Sequence, residues 1–153
     1  GGGSPCSTKY KTGFTCPMFT CVQDCSTISK VPLIADGGIR HNGDIAKSLV
    51  AGASFAMVGS LFAACTDSPA ETVYPGPNAK ILTGYRKRYF GSASFQNKGY
   101  KKHIEGFETL ITGNSMSYAE KLEELKQDLQ SAISYAGGED LSAMDRVYYV
   151  INK

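Results

Sequence analysis

Three consecutive stretches near the start of the chain carry a readable pattern of apolar and polar positions, and they are of two kinds. Residues 31–36, VPLIAD, stay apolar up to a closing Asp and run into Gly37-Gly38. A short unbroken apolar run of this sort predicts a strand buried on both faces of a parallel sheet. In HNGDIAKSLVAGA (41–53) the apolar residues Ile45, Ala46, Leu49, Val50 and Ala53 recur at helical spacing. Asn42 stands as the N-cap, Asp44 falls in the first turn, and Gly52 suits the helix end. SFAMVGS (54–60) then repeats the buried-strand pattern. Strand, helix and strand make a βαβ unit, whose crossover brings both strand C-termini to one side.

The C-terminal third reads as a second helix. Ser117 and Glu120 have the spacing of a capping box. Tyr118, Leu122, Leu125, Leu129 and Ile133 trace one apolar face behind it. YAGGEDL (135–141) breaks that helix, and RVYYVIN (146–152) predicts a terminal strand. Between residues 66 and 106 the chain is rich in Pro, Gly and Lys, with little periodicity. A long structureless segment inside a compact domain is uncommon, and predicts a functional flap or lid. No internal repeat is found.

Composition narrows the function classes. The chain has 153 residues, enough for one domain, and a formal net charge of +2. The near balance argues against nucleic acid polymers as partners, with YRKRYFG (85–91) the one local basic run. No apolar stretch reaches spanning length and no secretory signal is present, so no membrane association is expected. An odd count of five cysteines favours a reducing, cytoplasmic compartment. The spacing of Cys16, Cys21 and Cys25 does not suit a zinc site, and packing on a helix accounts for them better. The chain starts without Met inside GGGSPCSTKYKTG (1–13), so upstream sequence is expected to be missing. That opening reads either as a flexible linker or as a glycine loop presenting Cys6.

The two predicted strands end in Asp36-Gly37-Gly38 and Gly59-Ser60 at one sheet edge. Glycine turns let the backbone approach an anion, and free N–H groups supply donors. In a (β/α)8 barrel the usual phosphate site lies on the loops after strands seven and eight. Each turn alone is an ordinary βα connection; two on one edge, with Cys6 upstream, point to a site.

GGGSPCSTKYKTG, LIADGGIRHNGDIAKSLVAGA, FAMVGSLFA, YFGSAS, KKHIEG and DLQSAISYAGG follow one another in order from Gly1 to the C-terminus. In this order and spacing they resemble the IMP dehydrogenase/GMP reductase family, on its reductase side. The short stretch between YFGSAS and IEG and the ending SYAGGEDL look like the reductase rather than the dehydrogenase. The resemblance implies an α/β fold, the (β/α)8 TIM barrel, with residues 1–153 forming its C-terminal part. Residues 1–13 would follow strand six, 31–36 would be strand seven and 54–59 strand eight. The N-terminal strands are absent from this chain, and the chain alone is expected to be poorly folded and inactive.

The resemblance also implies roles. Cys6 matches the nucleophile that attacks C2 of the purine of GMP, releasing ammonia and leaving a covalent thioimidate. NADPH then reduces C2, and IMP leaves. Thr8 and Glu105 match the proton relay to the departing ammonia. Ser4, Asp36, Gly37, Gly38, Gly59 and Ser60 match the phosphate and ribose site. Asp36, an anion among phosphate donors, would accept from the ribose hydroxyls. Gly91, Ser92 and Ala93, with Lys102 and Gly106, match the segment around the base. Ser92, Lys101 and Lys102, with Ser131, Ala132, Ile133 and Ser134, match the NADPH contacts, the last four toward cofactor on a neighbouring subunit of a homotetramer. Gly1, Gly3, Cys6 and Lys9 match a monovalent-cation site, suited to K+.

This chain departs from the family pattern at Gly2, Pro5 and Thr15. Pro5 lacks an N–H and restrains Ser4 toward extended backbone, which bears on the Ser4 phosphate contact. Two other functions stand beside the reductase: IMP dehydrogenase, oxidising IMP with NAD, and a noncatalytic purine-nucleotide-binding module.

Overall fold

Residues 31–57 form the parallel unit that the apolar runs predict. The computed structural model describes residues 7–74, 76, 84–91, 93–99, 104 and 106–150. Strand β1 (Ile34–Asp36) pairs in parallel with β2 (Phe55–Met57), with Ile34 opposite Phe55 and Asp36 opposite Met57. Helix α3 (Gly43–Val50) makes the connection. Both strands are shorter than their apolar runs. Ala35, Val22, Ala51 and Ala53 form the buried cluster on one face, with Met18 and Phe19 packed against it from α2 (Met18–Ile28).

The opposite face corrects the expectation of burial on both sides. Ile34, Phe55 and Met57 are 57%, 60% and 52% exposed. They alternate with Ala35 and Ala56, so they share the face that points away from α2 and α3. The described residues leave it more than half open at all three. Parallel sheets are ordinarily covered on both faces.

The helix α3 entrance also differs from expectation. Asn42 occupies the N-cap position but has helical φ and ψ and makes no side-chain cap bond. Its amide instead donates to Glu124 (3.0 Å) and Asp128 (2.6 Å) on α6 (Tyr118–Tyr135). Asp44 takes over the local work, accepting from the Arg40 and His41 amides at 3.0 and 2.9 Å. Gly52 does end the helix, at φ +99°, where an L side chain is strained.

The segment between 66 and 106 is not structureless. It contains β3 (Thr72–Val73) and β4 (Arg86–Phe90), which join β5 (Glu108–Thr112) in an antiparallel sheet of order β3-β4-β5. β3 is only two residues long and β4 opens on three cations, Arg86, Lys87 and Arg88, which hides them from a hydropathy pattern. Arg88 pairs with Glu71 (2.7 Å) and with Glu108. The Lys87 ammonium, on a residue only 2% exposed, donates to the Ser68 and Ala70 carbonyls at 3.2 Å each. The basic run is thus consumed largely by the sheet itself. Short helices α4 (Ser60–Ala63) and α5 (Phe95–Lys98) flank β2 and β4 in the chain.

The Ser117–Glu120 capping box is present in full at the start of α6. Leu125 is buried, but Tyr118 and Leu122 are 46% and 44% exposed, so the predicted apolar face is only partly covered. Beyond α6 a 3-10 helix (Leu141–Arg146), capped by Asp140, buries Ala143 and Met144. The predicted terminal strand is therefore not seen. Residues 147–150 pair with no strand, and Tyr148 is wholly exposed. Tyr149 packs edge-on against Phe19 at 4.9 Å between centroids instead. β-branched and aromatic residues favour a sheet only where an edge is available. Cys21 and Cys25 lie on α2, whereas Cys16 precedes it and is exposed.

Candidate functional site

The C-terminal ends of β1 and β2 open onto a cavity of about 680 Å³. Asp36, Gly37 and Gly38 line it from the end of β1, and Gly59 and Ser60 from the end of β2. Gly37 and Gly38 have φ of +104° and +83°, so the turn requires two consecutive glycines. Their missing side chains leave the backbone bare toward the cavity. A Cβ on Gly59 would overlap the Tyr89 hydroxyl, so a side chain there would displace that ring.

The facing wall comes from the antiparallel sheet. Tyr89 of β4 stands opposite Thr109 of β5, and both line the cavity with Ile111. Burial, and then the charge of Asp36, push the Tyr89 phenol above its ordinary pKa, so it stays protonated and able to donate at neutral pH. A third wall is α1 (Thr8–Thr12), which presents Lys9 and Tyr10. Arg40 adds a second cation at the mouth, and Phe107 an aromatic face. One carboxylate, two cations, two phenols and bare glycine backbone thus converge on one space. That donor set suits a phosphorylated, polyhydroxylated ligand.

The expected residues divide into three groups. Asp36, Gly37, Gly38, Gly59, Ser60 and Lys9 are brought together in this cavity. Thr8 begins α1, one position before Lys9. Gly91, Ala93 and Gly106 meet one another beyond the end of β4: the Ser94 amide donates to Gly91, and the Gly106 amide to Ala93 at 3.2 Å. They do not line the cavity. Ser131, Ala132, Ile133 and Ser134 lie near the end of α6, and no described cavity-lining residue comes from that helix. Gly1, Gly3, Ser4, Cys6, Ser92, Lys101, Lys102 and Glu105, like Gly2 and Pro5, lie outside the described residues.

Tyr89, Arg40, Tyr10 and Phe107 escaped the sequence reading. Tyr89 was masked by the basic run around it; the only signal available was the alternation of Lys87 and Tyr89 inward with Arg86, Arg88 and Phe90. Desolvation and the neighbouring Cys21 push the Cys16 and Cys25 thiols up rather than down. Among the described residues no group of three or more His, Cys, Asp or Glu could hold a metal ion. No helix there is long and apolar enough to cross a membrane.

Comparison with known proteins identifies the family of the sequence. The sequence model of the IMP dehydrogenase / GMP reductase domain matches residues 1–152. A GMP reductase of Lactobacillus delbrueckii subsp. bulgaricus is 48% identical over 155 aligned residues. That alignment covers 100% of this chain and 45% of the relative. Proteins of the same name from Staphylococcus carnosus and Staphylococcus aureus are 48% and 49% identical, each covering 99% of this chain and 45% of the relative. The chain thus spans a little under half the length of the curated relatives it matches.

Proposed function

The chain belongs to the IMP dehydrogenase / GMP reductase family, and from that premise we propose that it forms the nucleotide site of a GMP reductase. The reaction is reductive deamination: GMP, NADPH and two protons give IMP, NADP+ and ammonium. The observation that carries this reading is the 680 Å³ cavity where Asp36, two pairs of small residues and Tyr89 converge. In it the amides of the Gly37-Gly38 and Gly59-Ser60 turns, with the Tyr89 hydroxyl, bind the 5′-phosphate. Asp36 accepts from the ribose hydroxyls, because a carboxylate would repel phosphate.

Cys6 precedes α1 by two positions in the chain, and α1 already reaches this cavity through Lys9 and Tyr10. Its thiolate adds to C2 of the purine, the exocyclic nitrogen leaves as ammonia, and a thioimidate joins Cys6 to C2. Thr8 and Glu105 deliver the proton that makes ammonia a competent leaving group. Release of IMP then returns the Cys6 thiolate.

NADPH supplies two electrons to C2 when it is bound. The cavity fits such a group: Tyr10 and Phe107 offer aromatic faces, with Lys9 and Arg40 for phosphates. Ser92, Lys101 and Lys102 complete that contact from this chain. Ser131 to Ser134, away from the cavity on α6, meet cofactor bound to another copy in a cytoplasmic homotetramer. K+ on the carbonyls of Gly1, Gly3 and Cys6 beside Lys9 would steady the nucleophile loop.

The uncovered face of β1 and β2 supports the architecture proposed with it. Ile34, Phe55 and Met57 become interior residues once further parallel strands close a (β/α)8 barrel, of which residues 1–153 are the C-terminal part. Mass spectrometry tests the chemistry in the longest native polypeptide carrying this chain. Incubation with GMP alone should add a purine nucleotide, less ammonia, to the peptide containing Cys6. No adduct on Cys6 after incubation with GMP alone would remove the covalent route.

A further inference from the structure

The Gly37-Gly38 turn is a wall shared by two cavities. With Ile39 it lines both the 680 Å³ cavity and a smaller one of about 270 Å³. The smaller cavity lies among Met18 and Phe19 of α2 and Asp44 and Ser48 of α3. Side-chain packing therefore gives the turn little backing. Two glycines at positive φ are also the most permissive backbone available. Such a turn keeps one shape only if both of its ends are held.

Its upstream end is Asp36, paired with Met57 in the parallel sheet. Downstream, Ile39 is buried, and Arg40 and His41 after it are exposed. Their amides nonetheless both donate to one oxygen, Oδ2 of Asp44, at 3.0 and 2.9 Å. The Asp44 amide returns a bond to the His41 carbonyl at 3.0 Å. An acid in the first turn of a helix ordinarily serves that helix's own free N–H groups. This one serves the segment that leads out of the glycine turn. Lys47 and His41 stand 3.5 Å from its carboxylate oxygens and partly offset its charge.

We propose that Asp44 is a positioning residue for the 5′-phosphate: its carboxylate clamps the downstream end of the Gly37-Gly38 turn and so holds the turn amides where the phosphate binds. This rests on the reading of that turn as the phosphate site. Preorganised donors bind an anion without first being ordered, and a two-glycine turn has the most order to lose. Release of the clamp should therefore weaken ligands that carry the phosphate and spare those that lack it.

Calorimetric titration compares GMP with guanosine in the parent, D44A and D44N of the longest native polypeptide carrying this chain. D44A should bind GMP about tenfold more weakly, the scale of one hydrogen bond to a charged group, and guanosine as the parent does. D44N, which keeps an acceptor oxygen, should recover most of the loss. In turnover the loss should fall on KM for GMP, with kcat near parental. Linkage supplies a readout that needs no variant, because a clamp that favours the ligand is favoured by it equally. GMP should slow amide exchange at Arg40 and His41 about tenfold beyond any change at the buried Ala51, and guanosine should not. Parental GMP affinity in D44A, equal losses for GMP and guanosine, no recovery in D44N, a loss confined to kcat, or exchange at Arg40 and His41 that merely follows Ala51 would each overturn the proposal. If D44A fails to fold, exchange in the parent decides alone. A parent that binds guanosine as tightly as GMP would remove the phosphate reading by itself, and the Asp44 role with it.

Discussion

The Tyr89 hydroxyl lies where a Cβ on Gly59 would have to be. Tyr89 comes from β4 and Gly59 from the end of β2, so one close approach joins the antiparallel sheet to the parallel strand ends. It also sets the phenol beside the backbone that the proposal assigns to phosphate. Substituting Gly59 by Ala forces Tyr89 to move, whereas Tyr89→Phe removes only the hydroxyl. Calorimetric titration with GMP should show about tenfold weaker binding for Y89F, the cost of one hydrogen bond to an anion. G59A should be at least as weak. Parental affinity in G59A would take Tyr89 out of the phosphate site.

Glu105→Gln should slow deamination far more than it weakens GMP binding. A group that acts on a proton in the transition state lowers kcat while leaving ground-state affinity nearly untouched. Single-turnover ammonia release, set beside equilibrium GMP binding, separates the two. Equal turnover in E105Q and the parent would exclude the proton role.

Asn42 is the structural counterpart, tying α3 to α6 by donating to both Glu124 and Asp128. Removing it leaves two acidic side chains near one another without their shared donor. Asn42→Ala should destabilise by about 1–3 kcal/mol and lower the melting temperature by several degrees, with GMP affinity unchanged. A variant that melts with the parent would show that the bridge contributes nothing.

Acid should erode this framework in a defined direction. Burial pushes the Asp44 carboxyl up, but the Arg40 and His41 amides and Lys47 together hold it below its ordinary pKa. Hydrogen bonds from Ser117 do the same for Glu120, against a smaller opposing effect of desolvation. A carboxyl with a depressed folded-state pKa contributes fully above its unfolded value. That contribution fades as pH falls through the folded one. Stability should therefore be level from neutrality to about pH 5 and decline below about pH 4. Melting curves of the parent and D44N across this range check it. D44N should start lower and decline less steeply, and parallel declines would mean that Asp44 carries no linkage.

Much of the βαβ unit was legible because its signals are local. An apolar run closing on Asp-Gly-Gly, a helical apolar period and a capping box each report on neighbours in sequence, and β1, α3, β2 and α6 all appear. The antiparallel sheet was not legible. Its strands β3 and β4 are short, and the charges of Arg88 and Lys87 are satisfied by partners 17 to 20 residues away. RVYYVIN failed for the complementary reason: its composition favours a strand, but residues 147–150 join no sheet and Tyr149 packs against Phe19 instead. At the site, the Gly37-Gly38 turn was legible because positive φ selects glycine. Tyr89 depends on tertiary proximity that no spacing rule encodes.

The most direct test is an absorbance assay of the longest native polypeptide carrying this chain. With GMP added, NADPH should be consumed, and ammonium and IMP should appear in equal amounts; Cys6→Ala should abolish all three. Formation of NADH from IMP and NAD, with no NADPH loss on GMP, would place the protein on the dehydrogenase side. Nucleotide binding with neither reaction would contradict the enzymatic account altogether.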